Sequence, residues 1–550
     1  MDLLAAQSTF LDQELNVIML LSAAAAMALV AQRIRVPHTV TLVLVGLGFA
    51  FFPNFVDLEI SPEVIFGLLV PPLLFEATLN LSWARLKADL VPVLLLALGG
   101  TMLGTFFIAW IVWGVVGIPW LAAVAFGALI SATDPVAVIA LFKTLGVSKR
   151  LSVLVEGESL FNDAVAIVAF NLAIAASLPG ESFSLSDAAA EFTIVGFGGL
   201  AVGLVLGLAV SRVILAQVDD ALIETTTTLA LAFGSFLVAE EFGVIFGIDD
   251  FHLSGILAVV AAGLVVGNEG LGNTSPSTRL TLDNFWTVLV FLVNSMVFLI
   301  IGLEINLREL TPHLSDVVVA IVAVVVARLL VVYGLGLVHQ LVQPGRRISM
   351  AFRHVQYWGG LRGAISLALA LTLAEAGFDK KVVDTVLLMT FGVVLFTLLV
   401  QGTSMGFLID RLGLAVFAPN EHEQQIRQAR VFALRSGRAE LERLGRSGVL
   451  ARDMTQAMLG TYDEQLTTAQ DSLASLIGAH PELEIGMLLT ARRDAVVAER
   501  AAVTDLVRRD LISESVSHAL VHEFDSRLAA LELIEERWES AQSPEEPSHG

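Results

Sequence analysis

The chain has 550 residues, 56% of them hydrophobic and only 16% charged, with a mean hydropathy of +0.78. This excludes an ordinary soluble globular protein and places most of the chain in a bilayer. A net charge of −22 excludes a nucleic-acid partner, which would need a basic face. The lack of cysteine excludes disulfides, thiolate chemistry and Cys-based metal sites.

Residues 1–15 contain no Lys or Arg, so they lack the basic stretch of a cleaved signal peptide; they are expected as an extracytoplasmic N-terminal segment. Apolar runs follow, each close to the roughly 20 residues that span ~30 Å of hydrocarbon. They fall near 16–33, 38–53, 61–80, 90–116, 118–143, 151–178, 186–214, 222–241, 251–268, 284–304, 315–340, 348–376 and 382–410. The sequence thus predicts an all-α polytopic membrane domain over 16–412 with about thirteen spans. Loop charge orients it. Arg33, Arg35, Arg85, Lys87, Lys143, Lys149, Arg150, Arg212, Arg279, Arg346, Arg347 and Arg353 fall in or beside alternate loops, while the opposite loops hold only Arg308, Lys380 and Lys381. Because Lys/Arg bias sets topology, the N-terminus is expected outside and the C-terminus in the cytoplasm of a plasma (inner) membrane.

Charged residues inside spans cost at least ~2.5 kcal/mol on insertion scales and usually pair or line a pathway. Glu76, Asp134, Glu156, Glu158, Asp163, Arg328 and Arg362 are such residues. They concentrate between Ser131 and Phe170, two apolar segments joined by a basic turn. Pro135 has no backbone N–H and disfavours helix at the residue before it. The fifth span should therefore break beside Asp134, which hydrocarbon tolerates only where the break lines a cavity or is buried in protein. In the sixth span Ser159, Asn162 and Asp163 sit at i, i+3 and i+4, on one helical face. This stretch reads as an ion site.

A second interruption lies in the twelfth span, where Gly359, Gly360 and Gly363 surround Arg362 and weaken the helix midway. With span seven as a linker, spans 1–6 and 8–13 form two halves, each interrupted in its fifth span. Paired interruptions of this kind point to two inverted six-helix repeats whose discontinuous helices cross at the membrane midplane.

Hydrophobicity ends near residue 412. The remaining segment, 413–550, predicts a helical cytoplasmic domain with helices near 421–444, 453–477, 482–511 and 514–539. Pro481 suits a first helical turn. Val516, Leu520, Phe524, Leu528 and Leu531 form one apolar stripe. Its composition offers no catalytic constellation and suits packing or dimerisation.

The stretches PPLLFEATLN (71–80), SATDPVAV (131–138), EGESLFNDAVAIV (156–168), SGILAVVAAGLVVGN (254–268), FLVNSMVFLIIGL (291–303) and WGGLRGAISLALAL (358–371) resemble, in order, the NhaP-like branch of the sodium/proton exchangers. The resemblance implies a secondary active antiporter, with no enzymatic activity and no cofactor. It also implies a homodimer in a lipid bilayer, whose partners are monovalent cations and protons. In that reading Asp163 binds cation and proton alternately, and Thr133, Asp134 and Ser159 complete the cation shell. Asn162 marks the electroneutral branch. Glu158 and Arg362 form a buried ion pair, and Glu76 and Arg328 a similar supporting set.

The chemistry fits this reading. Na⁺ is a hard cation suited to carboxylate, hydroxyl and carbonyl oxygens. Burial favours the protonated form of a carboxylate and an arriving cation the ionised form, so one carboxylate can hold either but seldom both. K⁺ in place of Na⁺ would use the same core. An intramembrane protease would need G-x-S-G, G-x-G-D or H-E-x-x-H in the spans, and none occurs. A channel would use an acidic ring or a carbonyl filter from several subunits, against which the two-half pattern speaks.

Overall fold

The computed structural model describes residues 38–50 and 64–534, apart from 178–184, 219, 249–250, 273, 275, 305–311, 344–345, 374–376, 416–418, 448 and scattered positions after 508. The expected first span, 16–33, and the N-terminal segment lie outside the described residues. Every regular element among the described residues is a helix. The chain divides into two compact units, Met1–Ala415 and Val416–Gly550.

Apart from the short helices Trp83–Ala88 and Phe242–Phe246, the described helices of the first unit are α1 (His38–Ala50), α2 (Ile65–Leu79), α3 (Leu90–Val116), α4 (Trp120–Ser131), α5 (Val136–Leu145), α6 (Lys149–Ala175), α7 (Leu185–Ala209), α8 (Ala221–Glu240), α9 (Gly255–Gly270), α10 (Pro276–Glu304), α11 (Leu314–Val342), α12 (Met350–Trp358), α13 (Ala364–Thr372) and α14 (Lys380–Arg411). Among the described residues eight helical stretches are long and apolar enough to cross a membrane, with α4 and α5 together making one of them. Each expected span from 38–53 onward has helix in its place.

Hydrocarbon offers no water to the free N–H groups of a helix start, and side chains answer this. Asp220 accepts from the Leu222 and Ile223 amides at 2.8 and 3.1 Å. Ser254 accepts from Leu257 at 3.2 Å and Ser349 from Phe352 at 3.2 Å. Small residues then let helices pack backbone to backbone. A Cβ on Gly127 of α4 would lie 2.3 Å from the Thr105 carbonyl oxygen of α3, so no larger residue fits that crossing.

The loops that share one face by their charge also touch one another. Arg150, at the start of α6, donates to both Asp89 oxygens at 2.9 and 3.0 Å, and Arg346, after α11, reaches the Ala88 carbonyl. Asn268, in α9, accepts from the Trp83 amide at 2.7 Å and donates to the Leu81 carbonyl at 2.9 Å. Arg212, after α7, pairs with Glu269 at 2.6 Å. One polar seam thus joins five connections at the same end of the bundle.

The second unit holds α15 (Pro419–Arg446), α16 (Arg452–Ala479) and α17 (Pro481–Arg508), with Pro481 in the first turn of α17. Arg438 ties α15 to α16 through Asp463 at 2.5 Å. The fourth expected helix is only partly described. Its Phe524 forms a small core with Val496 and Val503, flanked by Leu520, Leu528 and Leu531, whereas Val516 is 47% exposed and stands off that stripe.

Candidate functional site

The fifth span breaks where its proline demands. Helix α4 stops at Ser131, Ala132 turns to extended geometry (φ −57°, ψ 134°), and α5 restarts at Val136. Between them the Asp134 carboxylate turns back and accepts from the Val136 amide at 2.9 Å, capping α5 with its own preceding residue. The glycine-rich span breaks as well: α12 ends at Trp358 and α13 begins at Ala364.

The two breaks meet. The Asp134 amide, released from its helix, donates to the Leu361 carbonyl of the other break at 2.9 Å. A Cβ on Gly363 would fall 2.1 Å from Asp134 Oδ2, so glycine alone lets the Asp134 carboxylate approach the start of α13. The partial positive charge of a helix start favours an anion there. Asp134 therefore sits between the starts of α5 and α13.

Helix α6 lies against this crossing. Glu156, Ser159, Leu160 and Asp163 follow the i, i+3, i+4, i+7 spacing of one helical face and line a cavity of about 80 Å³ together with Thr133, Asp134, Gly363 and Ser366. That is room for a small cation or a few waters. Asp163 is 7% exposed, forms no ion pair or hydrogen bond among the described residues, and lies within electrostatic reach of Asp134. Thr133 Oγ1 meets Ser159 Oγ at 3.0 Å and accepts from Asn162 Nδ2 at 2.6 Å. Either hydroxyl of the Thr133–Ser159 pair can be the donor, since Thr133 Oγ1 has a second lone pair beside the one Asn162 uses. Asn162 thus holds the break in place rather than facing the cavity.

Of the residues singled out from sequence, Thr133, Asp134, Ser159 and Asp163 come together on one cavity. Two pairings are corrected. Glu158 does not bond Arg362; its ion-pair partner is Arg328 on α11, which also donates to the Gln356 carbonyl at 2.9 Å. Arg362 instead donates to the Gly360 carbonyl, because the unwound stretch offers a free acceptor two residues away. It remains within electrostatic reach of Glu158 and Arg328. Glu76 does not join Arg328 either: it accepts from Asn80 at 3.0 Å and feels Lys143 and Asp283. Sequence reasoning gave Gly363 only a helix-weakening role and Ser366 none. The spacing Gly363–Ser366, one turn beyond an arginine in a glycine-rich run, was the available signal.

The described residues hold no cluster of three or more His, Asp or Glu side chains suited to a metal ion. What the cavity offers is three carboxylates, Asp134, Glu156 and Asp163, and neutral hydroxyls, a hard-oxygen set suited to an alkali cation or a proton.

The family profile described as sodium/hydrogen exchanger, transmembrane, matches residues 18–411. The chain is 37% identical over 499 residues to the low-affinity Na⁺/H⁺ antiporter NhaS1 of Synechocystis sp., a match covering 88% of this chain and 90% of that protein. It is 41% identical over 385 residues to the Na⁺/H⁺ antiporter ApNhaP of Aphanothece halophytica, covering 69% and 70%. The fold is also that of the sodium proton antiporter MjNhaP1 from Methanocaldococcus jannaschii, with a TM-score of 0.62 at 20% identity over 75% of this chain and 99% of that one. A profile spanning the whole apolar region, together with a 37% identical relative aligned along 90% of its length, leads to one conclusion: the chain belongs to the sodium/hydrogen exchanger family of membrane transporters.

Proposed function

We propose that the membrane unit exchanges Na⁺ for H⁺ one for one at Asp163. As a member of its family the protein is an antiporter and not an enzyme; what the proposal adds is the site and the stoichiometry. The observation that carries it is a buried carboxylate without an ion-pair or hydrogen-bond partner among the described residues, Asp163, on a cavity at the contact of two broken helices. Thr133 and Ser159 supply neutral oxygens beside it, and Asp134 a second, fixed charge.

The exchange rule follows from electrostatics. An unpaired carboxylate carried through a low-dielectric interior is unfavourable. The carrier therefore changes its facing readily only when Asp163 holds a proton or a cation, and one flux obliges the other. Asn162 cannot titrate. Asp134 is committed to the starts of α5 and α13, so one proton leaves for each cation bound and no net charge moves.

The broader setting belongs to the same proposal. Spans 1–6 and 8–13 form inverted halves around the crossing, and 16–412 is the exchange domain. The polar seam of loops faces the cytoplasm of the plasma membrane, the N-terminus faces outside, and two copies form a homodimer. The C-terminal unit is a cytoplasmic packing or regulatory domain.

Proteoliposomes carrying an internal pH dye test this directly. Asp163→Asn should abolish Na⁺-driven proton movement while the purified protein melts at the wild-type temperature, since the change removes charge at nearly constant volume. Exchange by Asp163→Asn at the wild-type rate would remove the assignment. In the same vesicles, voltage clamped with valinomycin/K⁺ should leave the ΔpH at which flux stops unmoved; each uncompensated charge would contribute ~2.3 kcal/mol per 100 mV.

A further inference from the structure

One hydroxyl on the cavity wall has no partner among the described residues. Ser366, in the first turn of α13, is 1% exposed and lines the cavity with Asp134 and Asp163. Its Oγ makes no hydrogen bond among the described residues. Several other helical hydroxyls of the unit satisfy themselves by bonding back three or four residues: Thr78 to Leu74 at 2.9 Å, Ser131 to Gly127 at 2.7 Å, Thr372 to Leu369 at 2.8 Å. Ser366 lacks that option, because the residues three and four before it are Gly363 and Arg362, in the unwound stretch ahead of α13.

A buried hydroxyl left unpaired is unfavourable. On the wall of a cavity that Asp134, Glu156 and Asp163 also line, the remaining partner is what the cavity carries. We propose that Ser366 Oγ is an oxygen ligand of the transported cation, contributed by the second broken helix. This deepens the reading of Asp163 as the exchanging carboxylate and rests on it. The shell then draws its oxygens from three elements: Ser159 and Asp163 from α6, Thr133 and Asp134 from the first break, Ser366 from α13. A neutral hydroxyl is a hard donor like the others. It adds affinity for the cation without adding a titratable group, so it acts on the cation half of the exchange alone.

The prediction separates affinity from rate. In proteoliposomes Ser366→Ala should raise the Na⁺ concentration for half-maximal exchange about ten-fold, the scale of a lost hydrogen-bonding ligand to a charge. The maximal rate should stay within about two-fold, and the pH profile at saturating Na⁺ should not move. Ser366→Thr keeps the hydroxyl and should stay close to wild type. Purified Ser366→Ala should melt at the wild-type temperature without Na⁺ and gain less from added Na⁺.

Half-saturation unchanged in Ser366→Ala would overturn the proposal. So would a lower maximal rate and melting temperature at unchanged half-saturation, which would mark a packing role. Equal impairment of Ser366→Thr and Ser366→Ala would also overturn it, since the hydroxyl would not be the cause. Asp163→Asn in the same assay keeps the two readings apart. If Asp163→Asn is inactive and Ser366→Ala normal, only the Ser366 ligand falls; if Asp163→Asn still exchanges, the underlying site falls.

Discussion

The two broken helices reach the same crossing by different means. The break between α4 and α5 is held by polar side chains: Asp134 caps Val136, and Asn162 and Ser159 bond Thr133. The break between α12 and α13 is held by backbone and space. Arg362 bonds the Gly360 carbonyl, its own amide bonds Thr397 Oγ1 at 3.2 Å, and Gly363 leaves room for Asp134. The first break carries the Asp134 carboxylate. The second supplies the site's geometry and, through Ser366, one further oxygen. A crossing of this kind needs one partner rich in side-chain chemistry and one that stays out of its way.

The sharpest way to break that division is Gly363→Ala. Its Cβ would fall 2.1 Å from Asp134 Oδ2 and 2.6 Å from Asp134 Cβ, and the Asp134 carboxylate cannot withdraw without giving up the Val136 amide. We expect loss of exchange by a hundred-fold or more, on the order of 3 kcal/mol, in a protein that still inserts. Near-normal transport by Gly363→Ala would show that Asp134 does not need its place against α13.

The next test concerns the arginines. Arg328 is the direct partner of buried Glu158, so Arg328→Ala leaves a buried carboxylate uncompensated, at a cost of ~3–5 kcal/mol. Arg362→Ala leaves that pair intact and should cost clearly less. The check is the melting temperature of both purified variants, with Arg328→Ala the lower. The reverse order would mean that Arg362, not Arg328, neutralises Glu158.

The smallest effect is expected at Pro135, the residue that announced the break. The unwound geometry is also fixed by Asp134 donating to Leu361 at 2.9 Å and by Asn162 holding Thr133. The new N–H of Pro135→Ala can face the cavity, and the variant should keep its exchange rate within about three-fold. A rate loss like that of Gly363→Ala would show that the proline, not the polar lattice, keeps the helix open.

How much of this was legible depends on the range of the interaction. Helix positions, both breaks and the cavity face of α6 follow from local rules, because hydropathy, Pro135 and i, i+3, i+4 spacing act within a few residues. Four of the five expected stripe residues, Leu520, Phe524, Leu528 and Leu531, were readable for the same reason, while Val516 stands off the core. The partner of Glu158 was not. It bonds a residue 170 positions away, and two arginines of equal charge compete for it. Local backbone decides between them: Arg362 lies in an unwound stretch with a free carbonyl beside it, whereas Arg328 projects from an intact helix opposite α6.

The sequence by itself determined that the chain enters a membrane, where its helices break and which carboxylate stands with which hydroxyls on α6, since each rests on neighbours in the chain. Only the tertiary structure decided that the breaks touch through Asp134 and Leu361, that Gly363 is a contact rather than a weak point, and that Ser366 faces the cavity unpaired. These depend on which atoms two distant backbones bring within 3 Å. That is fixed by packing among all the helices, not by the residues adjoining either break.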